Sequence, residues 1–210
     1  VLENYAKDEN GVIYQIQREP YVYDINYTAN SYGTADRNHR HAEMSHLRFG
    51  YVCGSIGRIP KSILDVGYGS GDFLKVAKLM VPEAYGNDIP PAYPLDGIEI
   101  IEDIYSREFD VVTFFDCLEH FEDPYQIRSL QTNFVCVTMP WCHHHSVEWF
   151  SNWKHRKPNE HLWHFNKESL AAFFDSIGFD TVNICNIEDT IRKSQENDPN
   201  IIAGTFRKRS

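Results

Sequence analysis

One run of residues, Ile63-Leu64-Asp65-Val66-Gly67-Tyr68-Gly69-Ser70-Gly71-Asp72-Phe73-Leu74, constrains this chain more than any other. An apolar strand enters a turn with glycine at every second position, and the turn opens directly onto a helix. Glycine there lets the backbone turn with positive φ and lets a ligand approach where a β-carbon would clash. The helix that follows presents unpaired N–H groups and the positive end of its dipole. Strand, glycine turn and helix in that order form a site for a nucleotide-type ligand. A dinucleotide fingerprint needs its third glycine one residue later, and Asp72 stands there, which disfavours a nicotinamide-dependent oxidoreductase.

Strand and helix patterns alternate around this run. Strand Ile63 to Val66, helix Asp72 to Met80, strand Ala84 to Asp88, a proline-rich turn and strand Ile98 to Ile101 make the first half of a doubly wound α/β sheet. The second half comprises strand Asp110 to Phe115, a short helix near Pro124 to Leu130 and strand Phe134 to Thr138. Helix Lys167 to Ile177 follows, with Asn166 as N-cap and Gly178 as its stop. Asp180 to Ile187 and Ile201 to Phe206 are two last strands with no helix predicted between them, so they should pair antiparallel. Before the sheet, residues 1–58 hold a tyrosine-rich segment, expected as a lid or wrap, and a helix from about Ala35 to Ile56. Residues 59–210 form the ligand-binding part of what is expected to be one domain.

The formal charge of -10, with no basic run before Arg207-Lys208-Arg209, disfavours nucleic acid as a partner. Five cysteines without a Cys-x-x-Cys pair fit reduced thiols. No apolar run is long enough to span a bilayer and no leader is visible, so a soluble, cytoplasmic protein is expected. Composition leaves the oligomeric state open.

Leu64 through Leu74 resembles motif I of the class I S-adenosylmethionine-dependent methyltransferases, an acidic residue followed by Gly-x-Gly-x-Gly. Two further segments carry the resemblance in the right order. Phe109 to Pro124, with Asp116 and Leu118-Glu119-His120 inside it, is similar to the fourth-strand motif. Glu160-His161-Leu162-Trp163-His164-Phe165 through Leu170, followed by Gly178-Phe179, resembles the late segment of the small-molecule and quinone-biosynthesis branch. The resemblance implies a Rossmann-like seven-stranded sheet in the order 3-2-1-4-5-7-6 with the last strand antiparallel. It also implies S-adenosylmethionine as methyl donor, S-adenosylhomocysteine as product and a small-molecule acceptor. O-methylation is favoured by family frequency alone. A non-catalytic, regulatory protein that binds the same ligand on the same fold is the alternative.

The donor's handles assign candidate residues. The turn Gly67, Tyr68, Gly69 and Gly71 offers N–H groups to the carboxylate of its amino-acid tail, and Asp65 offers an acceptor to the ammonium. Asp88, ending the second strand, suits the ribose diol. The resemblance implies that Asp103 accepts from the adenine amino group, with Ile89 and Ile104 against the ring; Glu102 competes with Asp103. Asp116 ends the fourth strand, where ligands of open α/β sheets gather. Tyr27 and Tyr32 either close over the sulfonium or pack in a tyrosine-rich core.

Every tryptophan (Trp141, Trp149, Trp153, Trp163) and six of ten histidines fall between Pro140 and His164. They are expected either to wall the acceptor site or to form a small aromatic core under a long loop. His120, His161 and His164 are the candidate bases, His120 also reading as scaffold. A strand would put His143 and His145 on one side, and a helix would let His161 and His164 share a face. No recognised ligand spacing completes a set, and no metal is expected.

Overall fold

In the computed structural model the described residues are 2–21, 35–89, 94–193 and 198–209, with the side chains of 35–39 set aside. The expected Tyr27 and Tyr32 contacts lie outside them. The sheet strands are β3 (Ser62–Val66), β4 (Glu83–Asn87), β5 (Glu99–Ile100), β6 (Phe109–Phe115), β7 (Thr132–Pro140), β9 (Phe179–Cys185) and β10 (Ile201–Lys208). Their order is β5-β4-β3-β6-β7-β10-β9, the expected arrangement, and β10 alone runs against its neighbours.

Period-two alternation decides what each face of the central strands carries. Ile63, Val111 and Phe115 pack with Phe49 and Val52 of α1 (Ala35–Ile56) and with Phe73, Leu74 and Ala77 of α2 (Asp72–Lys78). Leu64, Val66, Val112 and Phe114 turn the other way, onto Leu170, Phe173 and Phe174 of α4 (Lys167–Ser176). Each fully buried side chain of this size contributes roughly 1.5–3 kcal/mol. Helix α4 begins as expected: the Asn166 side chain accepts from the Ser169 N–H at 2.7 Å, and the Ser169 hydroxyl answers the Asn166 N–H at 3.0 Å. Gly178 ends it with φ 92°.

Three features escaped the sequence reading. The N-terminal segment forms β1 (Tyr5–Lys7) and β2 (Ile13–Gln15), and β2 pairs with β8 (Trp163–His164) as a second, three-stranded sheet. Val12, between them, is buried in the main core. The His144 to His164 stretch contains α3 (Val147–Asn152). The polar connection before β10 contains α5 (Asp189–Arg192), whose Asp189 carboxylate accepts from the N–H groups of Asn200 and Ile201.

Candidate functional site

Adjacent strands β3 and β6 lead off in opposite directions along the sheet, so a crevice opens at their carboxyl ends. A cavity of about 350 Å³ lies there. Its floor is the start of the glycine turn, its sides are α1 and the 3-10 turn Leu118–His120, and its far wall comes from residues 155–161 and Arg192.

The turn takes the predicted form. Gly67, Gly69 and Gly71 have φ of 73°, 55° and 72°, a region costly for any residue with a β-carbon. A β-carbon on Gly67 would stand 2.5 Å from the Cys117 sulfur. The Gly67 N–H donates to Asn87 O at 2.7 Å and the Gly69 N–H to the Asp88 carboxylate at 2.8 Å, so the second strand's end holds the turn open. Asp88 therefore stands behind the turn. Its carboxylate also accepts from the Ile89 N–H, and burial raises its pKa.

Asp65, Gly67, Tyr68 and Asp116 all reach the cavity wall. Asp65 shares the face of β3 that α1 covers, opposite its register partner Thr113, whose hydroxyl donates to its carboxylate at 2.6 Å. Burial pushes the Asp65 carboxyl up to about 7; Thr113 and the Arg48 charge oppose the rise, and Asp88 adds to it. Its ionised form thus lacks a full set of partners in the fold.

Asp116 adopts φ 52° and sits between two guanidinium groups. Arg48 of α1 donates to it at 2.6 Å, and Arg192 of α5 grips both its oxygens. The same arginines hold Glu188, at 2.6 and 3.0 Å. Burial resists ionisation of Asp116, yet Arg192 and Arg48 together hold its pKa below the usual carboxylate range. This four-residue network pins the end of β6 to α1 and α5. Sequence reasoning missed its arginines. On α1, His41, Met44, Ser45 and Arg48 all face the cavity at helical spacing, a mostly polar stripe that a search for apolar periodicity passes over.

Of the three candidate histidines, two line the cavity. His120 and His161 are edge-to-face with ring centroids 4.8 Å apart. His120 Nδ1 bonds Glu160 O and His161 Nδ1 bonds His155 O, each at 2.8 Å. A carbonyl only accepts, so Nδ1 carries the proton and Nε2 the lone pair in both rings. Burial lowers the His120 pKa and, with the His120 and Lys157 charges, pushes His161 down to about 2. His164 lies apart from the cavity, in β8, against Tyr5, Phe150 and Trp153, with burial pushing it down to about 3. The helical face imagined for His161 and His164 is extended chain instead.

Several expected contacts are not gathered here. Ile89 is 56% exposed. The Asp103 carboxylate caps its own turn by accepting from the Tyr105 N–H, and Ile104 is buried in the core. None of the three is on the cavity wall. The tryptophans do not wall the cavity: Trp153 packs with Tyr5, Ile13, Cys142 and Phe150 in a satellite core, and Trp163 joins the main one. Large indoles gain more by burial than by lining a wet crevice. From that loop the cavity receives Pro140, His155, Lys157, Glu160 and His161. His143 and His145 do share one side, with rings stacked at 5.6 Å.

A doubly wound sheet with one reversed strand, and a glycine turn beside a buried acidic residue at its switch point, define a class I methyltransferase fold. Residues 37–184 match the pattern of the family described as "Methyltransferase domain", and the chain belongs to that family. Solved structures similar to it include the 1,6-didemethyltoxoflavin-N1-methyltransferase of Burkholderia thailandensis, with S-adenosylhomocysteine and its acceptor bound. That protein is 14% identical, with 99% of this chain and 100% of that one covered and a TM-score of 0.57. The magnesium protoporphyrin IX methyltransferase of Synechocystis PCC 6803, with S-adenosylhomocysteine, is 12% identical over 91% and 90%, with a TM-score of 0.55. A Haloferax volcanii complex of a methyltransferase with the Trm112 activator gives 12% identity over 90% and 100%, with a TM-score of 0.57. No curated protein matches the sequence. Among the described residues no helix is long and apolar enough to cross a membrane.

Proposed function

We propose that the protein transfers a methyl group from S-adenosylmethionine to an oxygen of a small-molecule acceptor. The observation that carries this is the buried Asp65 carboxyl beside the positive-φ glycine turn, facing the His120 and His161 imidazoles across one cavity. The residues fit the donor. The cradle at Gly67 excludes a β-carbon, and Asp65 has its acceptor capacity only partly used. Asp65 would take the ammonium, and the stretch Gly67 to Ser70 on the cavity wall would lie against the carboxylate. Asp88, Asp103 and their neighbours Ile89 and Ile104 would serve the adenosine end, outside the cavity wall.

When bound, the donor supplies an electrophilic methyl group on a sulfonium sulfur. The chain's part is to bind, align and exclude water. Arg48 and Arg192 fix Asp116, which keeps its negative charge near the cationic end. His120 Nε2 accepts a hydrogen bond from the acceptor hydroxyl, while His161 is held neutral by burial and orients without taking a proton. The neighbouring folds that act on a porphyrin and on a toxoflavin precursor support a small acceptor. Incubating the protein with S-adenosylmethionine and a panel of hydroxylated aromatics, quinone precursors, sugars and small amines tests the reading. Acceptor-dependent S-adenosylhomocysteine formation is expected. Tight donor binding without turnover on any acceptor would point to the non-catalytic alternative.

A further inference from the structure

Away from the cavity, a group of side chains gathers where β7 leaves the sheet and β10 enters it. His143 Nε2 donates to Pro199 O and His145 Nε2 to the Asp198 carboxylate, each at 2.7 Å. One nitrogen or oxygen from each of His143, His145 and Asp198 lies within 4.8 Å of the other two. Two imidazoles thus converge on one carboxylate, and none of the three residues is on the cavity wall. Asp198 follows His145 by 53 positions, so no local spacing announces the set and sequence reading expected no metal.

The backbone holds this arrangement in place. Pro140 pairs in register with Ile201, the Trp141 N–H donates to Asn200 O at 2.9 Å, and the Asp189 carboxylate accepts from the N–H groups of Asn200 and Ile201. Between the two histidines His144 takes φ 47°, a region costly for a residue with a β-carbon. The rings on either side of it stand 5.6 Å apart and within 9° of parallel. Trp141 stacks on His143 and Trp149 meets His145 edge-on, which gives the imidazoles an apolar shell. A strained residue persists only where its surroundings hold it, and such residues cluster at ligand clamps.

We infer that His143, His145 and Asp198 bind a divalent transition-metal ion of the zinc class, which staples the end of β7 to the segment entering β10. Two imidazoles and a carboxylate are a donor set for such an ion, and a fourth position falls to the Pro199 carbonyl or to solvent. Donors around a four-coordinate ion of this size stand about 3.3 Å apart, so the 2.7 Å contact opens and the widest separation closes, both by side-chain rotation. The ion pair displaced is half-exposed and therefore weak. On binding, each neutral ring moves its proton from Nε2 to Nδ1, so the ion takes a lone pair with no net change in bound protons. The staple also reaches the cavity indirectly. Asp189 opens α5, and α5 carries Arg192 to Asp116, so an ion on Asp198 steadies the connection that supplies part of the far wall.

The test is equilibrium dialysis of tag-free, chelator-treated protein against micromolar zinc, with calorimetric melting alongside and cobalt absorption reporting the ligands. One equivalent of zinc per chain should be weakened at least about tenfold in His143→Ala, His145→Ala and Asp198→Asn, and kept in His46→Ala, an exposed histidine of α1. Zinc at about a hundredfold excess over its dissociation constant should raise the parent's Tm by roughly 5–10 °C and leave the Tm of the three variants where it was. If an alanine variant fails to fold, Asp198→Asn, which keeps the side chain's shape, carries the test. The inference is overturned if zinc does not bind, if His46→Ala loses it too, or if the folded variants bind it as tightly as the parent. It does not rest on methyl transfer: zinc binding without nucleoside binding would leave the staple standing.

Discussion

Donor affinity should depend on pH through Asp65. With its carboxyl pushed up to about 7 in the empty site, about 3% is ionised at pH 5.5 and about half at pH 7. If the ligand's ammonium pairs with the carboxylate, only the ionised form binds well. Affinity for S-adenosylhomocysteine should then rise about 16-fold over that interval, or about 1.6 kcal/mol. The ligand's α-amino group titrates near 7.7–8.0, above the window. Two histidines of the wall stay neutral across that interval: burial pushes His155 down to about 4 and His161 to about 2. Calorimetry in two buffers of different ionisation enthalpy reads both the affinity and the proton released on binding. Asp65→Asn should bind no better at pH 7 than the parent does at pH 5.5, and its profile should be flat. A flat parent profile, or the parent's slope surviving in Asp65→Asn, would refute the reasoning.

The same carboxyl predicts that the ligand-free fold loses stability as pH climbs from about 4 to about 7, because the folded state holds the proton longer than the unfolded chain does; denaturant midpoints against pH, compared with Asp65→Asn, check this. Gly69→Val should abolish donor binding while leaving a cooperative melt, since φ 55° is closed to a branched side chain and the turn must shift to take one; retained affinity would dismiss the cradle. Arg192→Met leaves Asp116 and Glu188 sharing one cation and should cost about 3 kcal/mol, a fall of roughly 6–12 °C in Tm by calorimetry. Asn166→Ala breaks the capping box of α4 and should cost about 1 kcal/mol in urea unfolding with donor affinity unchanged.

The fold was largely legible because its signals are local and strong. The apolar runs of β3 and β6, the glycines at 67, 69 and 71, and the Asn166 cap each specify their own geometry, and α1 has the expected bounds, Ala35–Ile56. What escaped depends on partners far along the chain. β1 and β2 are three residues each, too short for a periodic signal, and need β8, some 150 residues away, to form a sheet. Arg192 lies in a charged stretch with no pattern of its own, and only folding brings it to Asp116. Glu119 was visible in Leu118-Glu119-His120, but its burial at the cavity wall is a property of the packed molecule. The tryptophans misled as an acceptor wall because composition locates aromatic residues without saying which way they turn.

The most direct test is a crystal structure of the protein with S-adenosylhomocysteine bound. The methionyl carboxylate is predicted to lie against the stretch Gly67 to Ser70, with its ammonium against Asp65 and its sulfur facing His120 and Glu119. Ligand density elsewhere, or a cavity that stays empty at saturating ligand, would contradict the account.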